Sequence, residues 1–190
     1  MNKQIKKRYP TIACCGIDCG LCSRYYTVGT SKCPGCIGDS FFEKHPSCSI
    51  VTCCVKTNGW ETCAECPRFP CEKLRNWDRA DSFVTHQKSL ENLRQIQDVG
   101  IGEFVEQQKE RIRLLNRLLN EYDDGRSKSF FCLATALMDI DDLKEAVFQI
   151  QEIRGQSKDI THLAKLAKYI IEKKAKLKGV ALVYRREKVS

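Results

Sequence analysis

The stretch that decides the fold is Cys14-Cys15-Gly16-Ile17-Asp18-Cys19-Gly20-Leu21-Cys22, which places four cysteines within nine residues. It opens a segment that holds twelve of the thirteen cysteines in the chain, ending at Cys71. The odd count and the tight C-x2-C pairs argue against a disulfide framework and are typical of thiolate metal sites in a reducing compartment. The sequence therefore predicts a segment that folds around metal ions.

The same segment has little apolar material from which to build a core. Between Thr11 and Ala80, Leu, Ile, Val and Phe account for only 12 of 70 residues. This fraction is below the ~20% at which a chain struggles to bury a core. A structural metal supplies on the order of 10–16 kcal/mol of binding free energy that is also folding free energy. We therefore expect the metal to be a condition of the fold.

The cysteine spacings indicate which thiols bind metal. A tight turn between two cysteines lets both sulfurs reach one ion at about 2.3 Å, and two such pairs complete a tetrahedron. In Cys14-Cys15 and Cys53-Cys54 the neighbouring side chains are expected to diverge, so Cys14 and Cys54 are assigned as small buried thiols. The remaining ten cysteines are the predicted ligands: Cys15, Cys19, Cys22, Cys33, Cys36, Cys48, Cys53, Cys63, Cys66 and Cys71. Ten ligands do not divide into complete four-cysteine sites, so a third, incomplete site stays open as an alternative.

Thiolate ligands suit zinc and iron–sulfur clusters alike. The knuckle Cys33-Pro34-Gly35-Cys36 favours zinc. The run Cys15-x3-Cys19-x2-Cys22 and the Cys66-Pro67 step also resemble cluster-binding sequences. We take zinc as the predicted metal and an iron–sulfur cluster, with a redox or electron-transfer role, as the alternative.

Several motifs resemble a known family. The run Cys14–Cys22, the Cys33–Cys36 knuckle and Cys63-Ala-Glu-Cys-Pro-Arg-Phe-Pro-Cys71 are similar to the cysteine-rich prokaryotic family catalogued as domain of unknown function 3795. The similarity continues through Phe83-Val-Thr-His86 and Tyr122-Asp-Asp-Gly-Arg-Ser-Lys-Ser-Phe-Phe-Cys132. The resemblance implies metal binding and assigns no activity.

The chain after residue 80 reads as helices. Apolar residues recur three or four apart, and Gly, Asp and Ser mark the ends. We predict five helices, which end near Asp98, Tyr122, Met138, Gly155 and Gly179. Thr85 or Ser89 is expected to cap the first and Ser127 or Ser129 the third, and the other three are expected to begin near Gly102, Asp139–Asp142 and Asp159. Val180–Tyr184 is predicted as a short strand, with Thr11–Cys14 as its partner. The expected fold is mainly α, with a cysteine-rich module over residues 1–80 packed on a helical region over residues 81–190 as one compact unit.

The formal net charge of +8 is concentrated at the two ends of the chain. Residues 165–190 carry 9 Lys and Arg against 2 Asp and Glu, whereas residues 81–164 carry 11 against 15. A zinc ion with four thiolates has a net charge of −2, so two such sites would lower the total to about +4. Nucleic-acid binding through the Lys-rich terminus is therefore a third, weaker alternative. We expect a cytoplasmic protein without a membrane span that uses its surface for a protein partner.

The remaining candidate residues have simpler interpretations. Cys132 is predicted to be a core cysteine, with the alternatives of an extra metal ligand or a reactive thiol. His45 could replace a cysteine ligand but is expected to be a solvated loop histidine, and His86 and His162 are expected to be structural or exposed. Trp60 and Phe69 are expected to shield the metal sites from water. No nucleophile motif or phosphate-binding loop is present, so the sequence does not favour an enzyme.

Overall fold

The computed structural model describes residues 6–45 and 47–186. Its cysteine-rich segment consists of loops joined by short turns, as predicted. There are 3-10 turns at Cys19–Leu21, Ser23–Tyr26, Cys63–Glu65 and Glu72–Leu74. Helix α1 covers Phe41–Lys44, and α2 covers Ser49–Val51 and continues as a π-helical turn over Thr52–Thr57.

Five longer helices follow within the described residues up to 186, which confirms the predicted number. They are α3 (Ser89–Val99), α4 (Ile101–Tyr122), α5 (Lys128–Leu137), α6 (Ile140–Glu152) and α7 (Ile160–Leu177). Side-chain caps explain two of the boundaries. The side chains of Asp139 and Asp159 accept hydrogen bonds from the backbone N–H groups of Asp141 and Thr161, both at 2.9 Å. Such bonds satisfy donors that a helix N-terminus leaves unpaired.

The predicted strand pair is wrong. Within the described residues, the single β-bridge joins Ile12 to Asp18 inside the first cysteine run, and Val180–Tyr184 is irregular. Hydrogen bonds with Asp81, and not a strand pair, fix the position of Arg185, which follows this segment. The backbone N–H of Arg185 donates to the Asp81 carboxylate at 2.7 Å, and the backbone N–H of Asp81 donates to the Arg185 carbonyl at 2.8 Å.

The chain forms two compact units. The first comprises residues 1–107 and 184–190, of which residues 6–45, 47–107 and 184–186 are described, and the second comprises residues 108–183. The sequence division near residue 80 marks the point after which the long helices follow. The first unit nevertheless also contains α3 and the first turns of α4.

In the first unit, α3 packs directly on the loop that carries Cys14 and Cys15. Gly16 has φ +84°, and a Cβ added there would lie 2.1 Å from the carbonyl oxygen of Ser89. The amide of Asn92 donates to the Gly16 carbonyl at 2.9 Å. Only glycine allows both this backbone conformation and this close approach. The first cysteine loop is therefore fixed by a rigid helix.

The second unit has a core of its own. The largest fully buried side chains there include Leu115, Leu118, Tyr122, Phe131, Met138, Leu143 and Ile150. The Tyr122 hydroxyl donates to the Ile150 carbonyl at 3.3 Å, and the Arg111 guanidinium donates to the carbonyls of Thr135 and Met138 at 2.8 and 2.7 Å. No helix among the described residues is long and apolar enough to cross a membrane.

Candidate metal centre

Four cysteines from separate segments of the first unit meet in a group that we call the Cys14 group: Cys14, Cys36, Cys54 and Cys63. The sulfurs of Cys14 and Cys36 lie 3.9 Å apart. The Cys54 sulfur donates to the Trp60 carbonyl at 3.4 Å, and its thiol is close enough to those of Cys14 and Cys63 for their pKa values to shift one another. The four thiols are therefore neighbours in the order Cys36, Cys14, Cys54, Cys63.

Backbone hydrogen bonds hold these four segments in place. The N–H of Cys63 donates to the Cys14 carbonyl at 2.9 Å, and the N–H of Cys36 donates to the Pro10 carbonyl at 2.8 Å. The π-helical turn that carries Cys54 is closed by the N–H of Trp60, which donates to the Cys54 carbonyl at 3.0 Å. The positions of the sulfurs thus depend on the backbone and not only on long, mobile side chains.

The thiols of the Cys14 group differ in acidity. Hydrogen bonds with Cys36 and Cys54 hold the pKa of the Cys14 thiol well below its ordinary value. The same bonds raise the pKa of Cys36 and of Cys54, and burial raises both further. A hydrogen bond with Cys54 lowers the pKa of Cys63. The group therefore stabilises thiolate at Cys14 and Cys63.

A buried cation, Lys7, lies beside this group. Lys7 is 3% exposed, and its ammonium donates to the Ile12 carbonyl at 2.5 Å. Its positive charge lowers the pKa of Cys14 and of Cys63, although hydrogen bonds with neighbouring thiols have the larger effect on both. Lysine is almost never fully buried unless its charge is paired. The Cys14 group is a source of that negative charge.

A second set of side chains gathers around Cys33 and is called the Cys33 group: Cys19, Cys22, Cys33 and His45. The Nε2 atom of His45 lies 3.3 Å from the Cys33 sulfur. Burial raises the pKa of Cys19, and negative charge on Cys15, then on Cys33 and Cys22, raises it further. Burial also raises the pKa of Cys22, against hydrogen bonds from the backbone N–H groups of Arg24 and Tyr25.

The other cysteines of the segment lie around these two groups. Burial, with smaller contributions from charge on Cys14, Cys48 and Cys63, raises the pKa of the Cys15 thiol to about 12. Cys53, Cys66 and Cys71 line a cavity of about 20 Å³. Trp60 and Phe69 line the same cavity. Their shielding of a metal site from water stays a prediction.

The described residues contain no disulfide, and all thirteen cysteines lie among them. Within residues 6–45 and 47–186, no group of three or more His, Cys, Asp or Glu side chains has the geometry to hold a metal ion as it stands. The ten-cysteine ligand set therefore stays a prediction. What the structure adds is a grouping of the sulfurs.

That grouping includes residues that the sequence did not favour as ligands. Cys14 and Cys54 were assigned as spare thiols, but both have sulfur neighbours. His45 is half-buried and contacts Cys33, although a solvated position was expected. The sequence gives no signal for the burial of Lys7, because a basic N-terminus usually lies in solvent. A histidine twelve residues after a cysteine and close to further ligands was the available signal for His45.

The remaining candidates lie elsewhere. The ring of His86 stacks on Trp77 with centroids 4.8 Å apart, and its Nε2 lies 3.1 Å from the Ser82 hydroxyl, so its role is structural. His162 is exposed on α7. Cys132 is buried within α5, in the second unit, as expected for a core cysteine.

Comparison with known proteins agrees with the cysteine motifs. Residues 11–76 match the family model described as "Protein of unknown function (DUF3795)". This confirms the resemblance for the cysteine-rich segment, and the match ends before His86 and Cys132. No curated protein and no solved structure matches the chain.

Proposed function

We propose that this chain, whose residues 11–76 match the DUF3795 family model, is a metal-binding protein in which the thiolates of the Cys14 group hold one zinc ion. The observation that carries the proposal is the meeting of four cysteines from four segments beside a buried ammonium. All four thiols are near one another without forming disulfides. On binding, the thiolates would close around the ion.

The sulfur spacing supports a single ion. Tetrahedral zinc holds its sulfurs at about 2.3 Å, which puts neighbouring sulfurs about 3.8 Å apart. The distance between the Cys14 and Cys36 sulfurs is 3.9 Å. In a four-iron cluster each thiolate binds a different iron, so the sulfurs lie well beyond contact distance from one another. The contact between these two sulfurs therefore favours zinc over such a cluster.

The charge balance supports the same assignment. Four thiolates around a divalent ion carry a net charge of −2. The ammonium of Lys7, which is 3% exposed, would offset part of that charge inside the protein. Outer residues of this kind commonly tune metal affinity.

The role that fits such an ion is structural. It would join the first cysteine loop, the Cys33–Cys36 knuckle, the π-helical turn and the Cys63 turn, which pack around one buried apolar cluster that includes Ile12, Ile37 and Ile50. Because thiols of this kind stay reduced in the cytoplasm, we infer that the protein works there and presents the metal-stabilised surface to a protein partner.

Metal analysis of the full chain tests this proposal. The protein is purified without oxygen, and zinc, iron, acid-labile sulfide and the visible spectrum are measured on the same sample. A colourless protein with stoichiometric zinc is expected. A brown protein that contains iron and sulfide would show that the site holds an iron–sulfur cluster and not zinc. A folded protein that binds neither metal would refute the proposal.

A further inference from the structure

We propose a second metal site of Cys3His type, in which Cys19, Cys22, Cys33 and His45 bind a zinc ion. It shares no ligand with the Cys14 group, and it extends the proposed function from one ion to two. Three thiolates and one imidazole are a common ligand set of structural zinc.

The backbone brings Cys33 to the loop that follows Cys22. The N–H of Cys33 donates to the Arg24 carbonyl at 3.0 Å. Cys19 and Cys22 form a C-x2-C turn, in which the N–H of Cys22 donates to the Cys19 carbonyl at 3.2 Å. The third cysteine is therefore fixed beside the pair that would share its ion.

His45 is held so that its Nε2 meets the Cys33 sulfur at 3.3 Å. Its ring stacks on the Phe41 ring with centroids 4.4 Å apart and planes at 15°. The backbone N–H of His45 donates to the Phe41 carbonyl at 2.9 Å. The ammonium of Lys44 donates to the carbonyl of Lys32 at 3.2 Å, which ties the end of α1 to the residue before Cys33. The imidazole is thus directed at Cys33 by packing from α1.

The contact between the His45 Nε2 atom and the Cys33 sulfur fits an imidazole ligand, because a neutral histidine binds a metal through a ring nitrogen. A competing role for the contact is activation of Cys33 as a nucleophile by its histidine neighbour.

Zinc stoichiometry of single variants separates these roles. In the full chain purified without oxygen, His45→Gln is expected to lower the zinc content by one equivalent and to weaken that site by at least ~100-fold. His45→Cys should restore the equivalent, because a thiolate replaces the imidazole, and should change the visible spectrum of the Co²⁺-substituted protein. His162→Gln is the matched control, since His162 is exposed on α7, and should bind zinc as the wild type does.

Two results would overturn the site. One is a His45→Gln protein that keeps full zinc content and affinity. The other is a Cys33 thiol that reacts rapidly with iodoacetamide in the zinc-loaded wild type and slowly in His45→Gln, which would identify a nucleophile. A different result would show that the Cys14 group binds no zinc. In that case Cys54→Ala would keep all its zinc, while His45→Gln would lose one equivalent. Loss of one zinc equivalent in each variant supports both sites.

Discussion

Replacement of Cys54 by alanine separates a ligand from a merely buried thiol. Cys54 is 1% exposed, its thiol lies close to those of Cys14 and Cys63, and its sulfur donates to the Trp60 carbonyl at 3.4 Å. Removing one buried heavy atom from a packed core costs about 1 kcal/mol. If the atom is one of four zinc ligands, a binding free energy of about 10–16 kcal/mol implies a loss of roughly 3 kcal/mol or more.

The assay is urea unfolding of the reduced, zinc-loaded protein, with zinc content measured on the same samples. Cys132→Ala is the matched control, because Cys132 is 2% exposed but lies within α5 of the second unit. We expect Cys54→Ala to lose one zinc equivalent and roughly 3 kcal/mol or more, and Cys132→Ala to lose about 1 kcal/mol and no zinc. With a strong chelator present, the two variants should become similar.

Cys54 is not a zinc ligand if Cys54→Ala resembles Cys132→Ala in both zinc content and free energy of unfolding. The same conclusion follows if the loss at Cys54 is equally large in the presence of the chelator, since the sulfur would then contribute through packing alone.

Three further changes probe the surroundings of the proposed ion and the fold that positions it. Lys7→Met keeps the side-chain length but removes the buried charge, so zinc affinity measured by competition should fall by about 10–100-fold; unchanged affinity would contradict the charge argument. Gly16→Ala should destabilise the protein by at least about 2 kcal/mol more than Gly125→Ala in thermal unfolding. The two glycines have φ of +84° and +83°, but only Gly16 has atoms within 4 Å of an added Cβ, and equal losses would contradict this packing. Burial lowers the pKa of His86 below 6.5, so the unfolded chain binds more protons at this side chain than the folded chain does. The contribution of neutral His86 to the free energy of unfolding is therefore complete above pH 6.5. It falls as the pH drops below that value, by at most about 1.4 kcal/mol per pH unit. Urea midpoints at pH 7.5 and 5.5 should show a smaller drop in His86→Gln, and an equal drop would exclude His86 as the cause.

The helices were predictable because their signals are local. Asp139 and Asp159 cap the helices that they were expected to begin, and Gly100, with φ +80°, ends α3. The strand at Val180–Tyr184 failed because strand propensity needs a partner edge, which no local pattern specifies. The segment is irregular, and the residue that follows it, Arg185, bonds to Asp81 instead.

The grouping of the cysteines was not predictable from spacing. Spacing predicts that each pair of adjacent cysteines leaves one thiol without a sulfur neighbour. Cys14 and Cys54 nevertheless both lie close to other thiols, because several segments converge at the Cys14 group. Cys33 and Cys36, which share one C-x2-C turn, contact different partners, His45 and Cys14. Such long-range convergence is set by the whole fold, and the buried position of Lys7 depends on it as well.

Anomalous diffraction at the zinc absorption edge, from crystals of protein purified without oxygen, tests the central claim most directly. We predict an anomalous peak about 2.3 Å from the sulfurs of Cys14, Cys36, Cys54 and Cys63. A map in which these four sulfurs surround no zinc, or in which any two of them form a disulfide, would contradict the account.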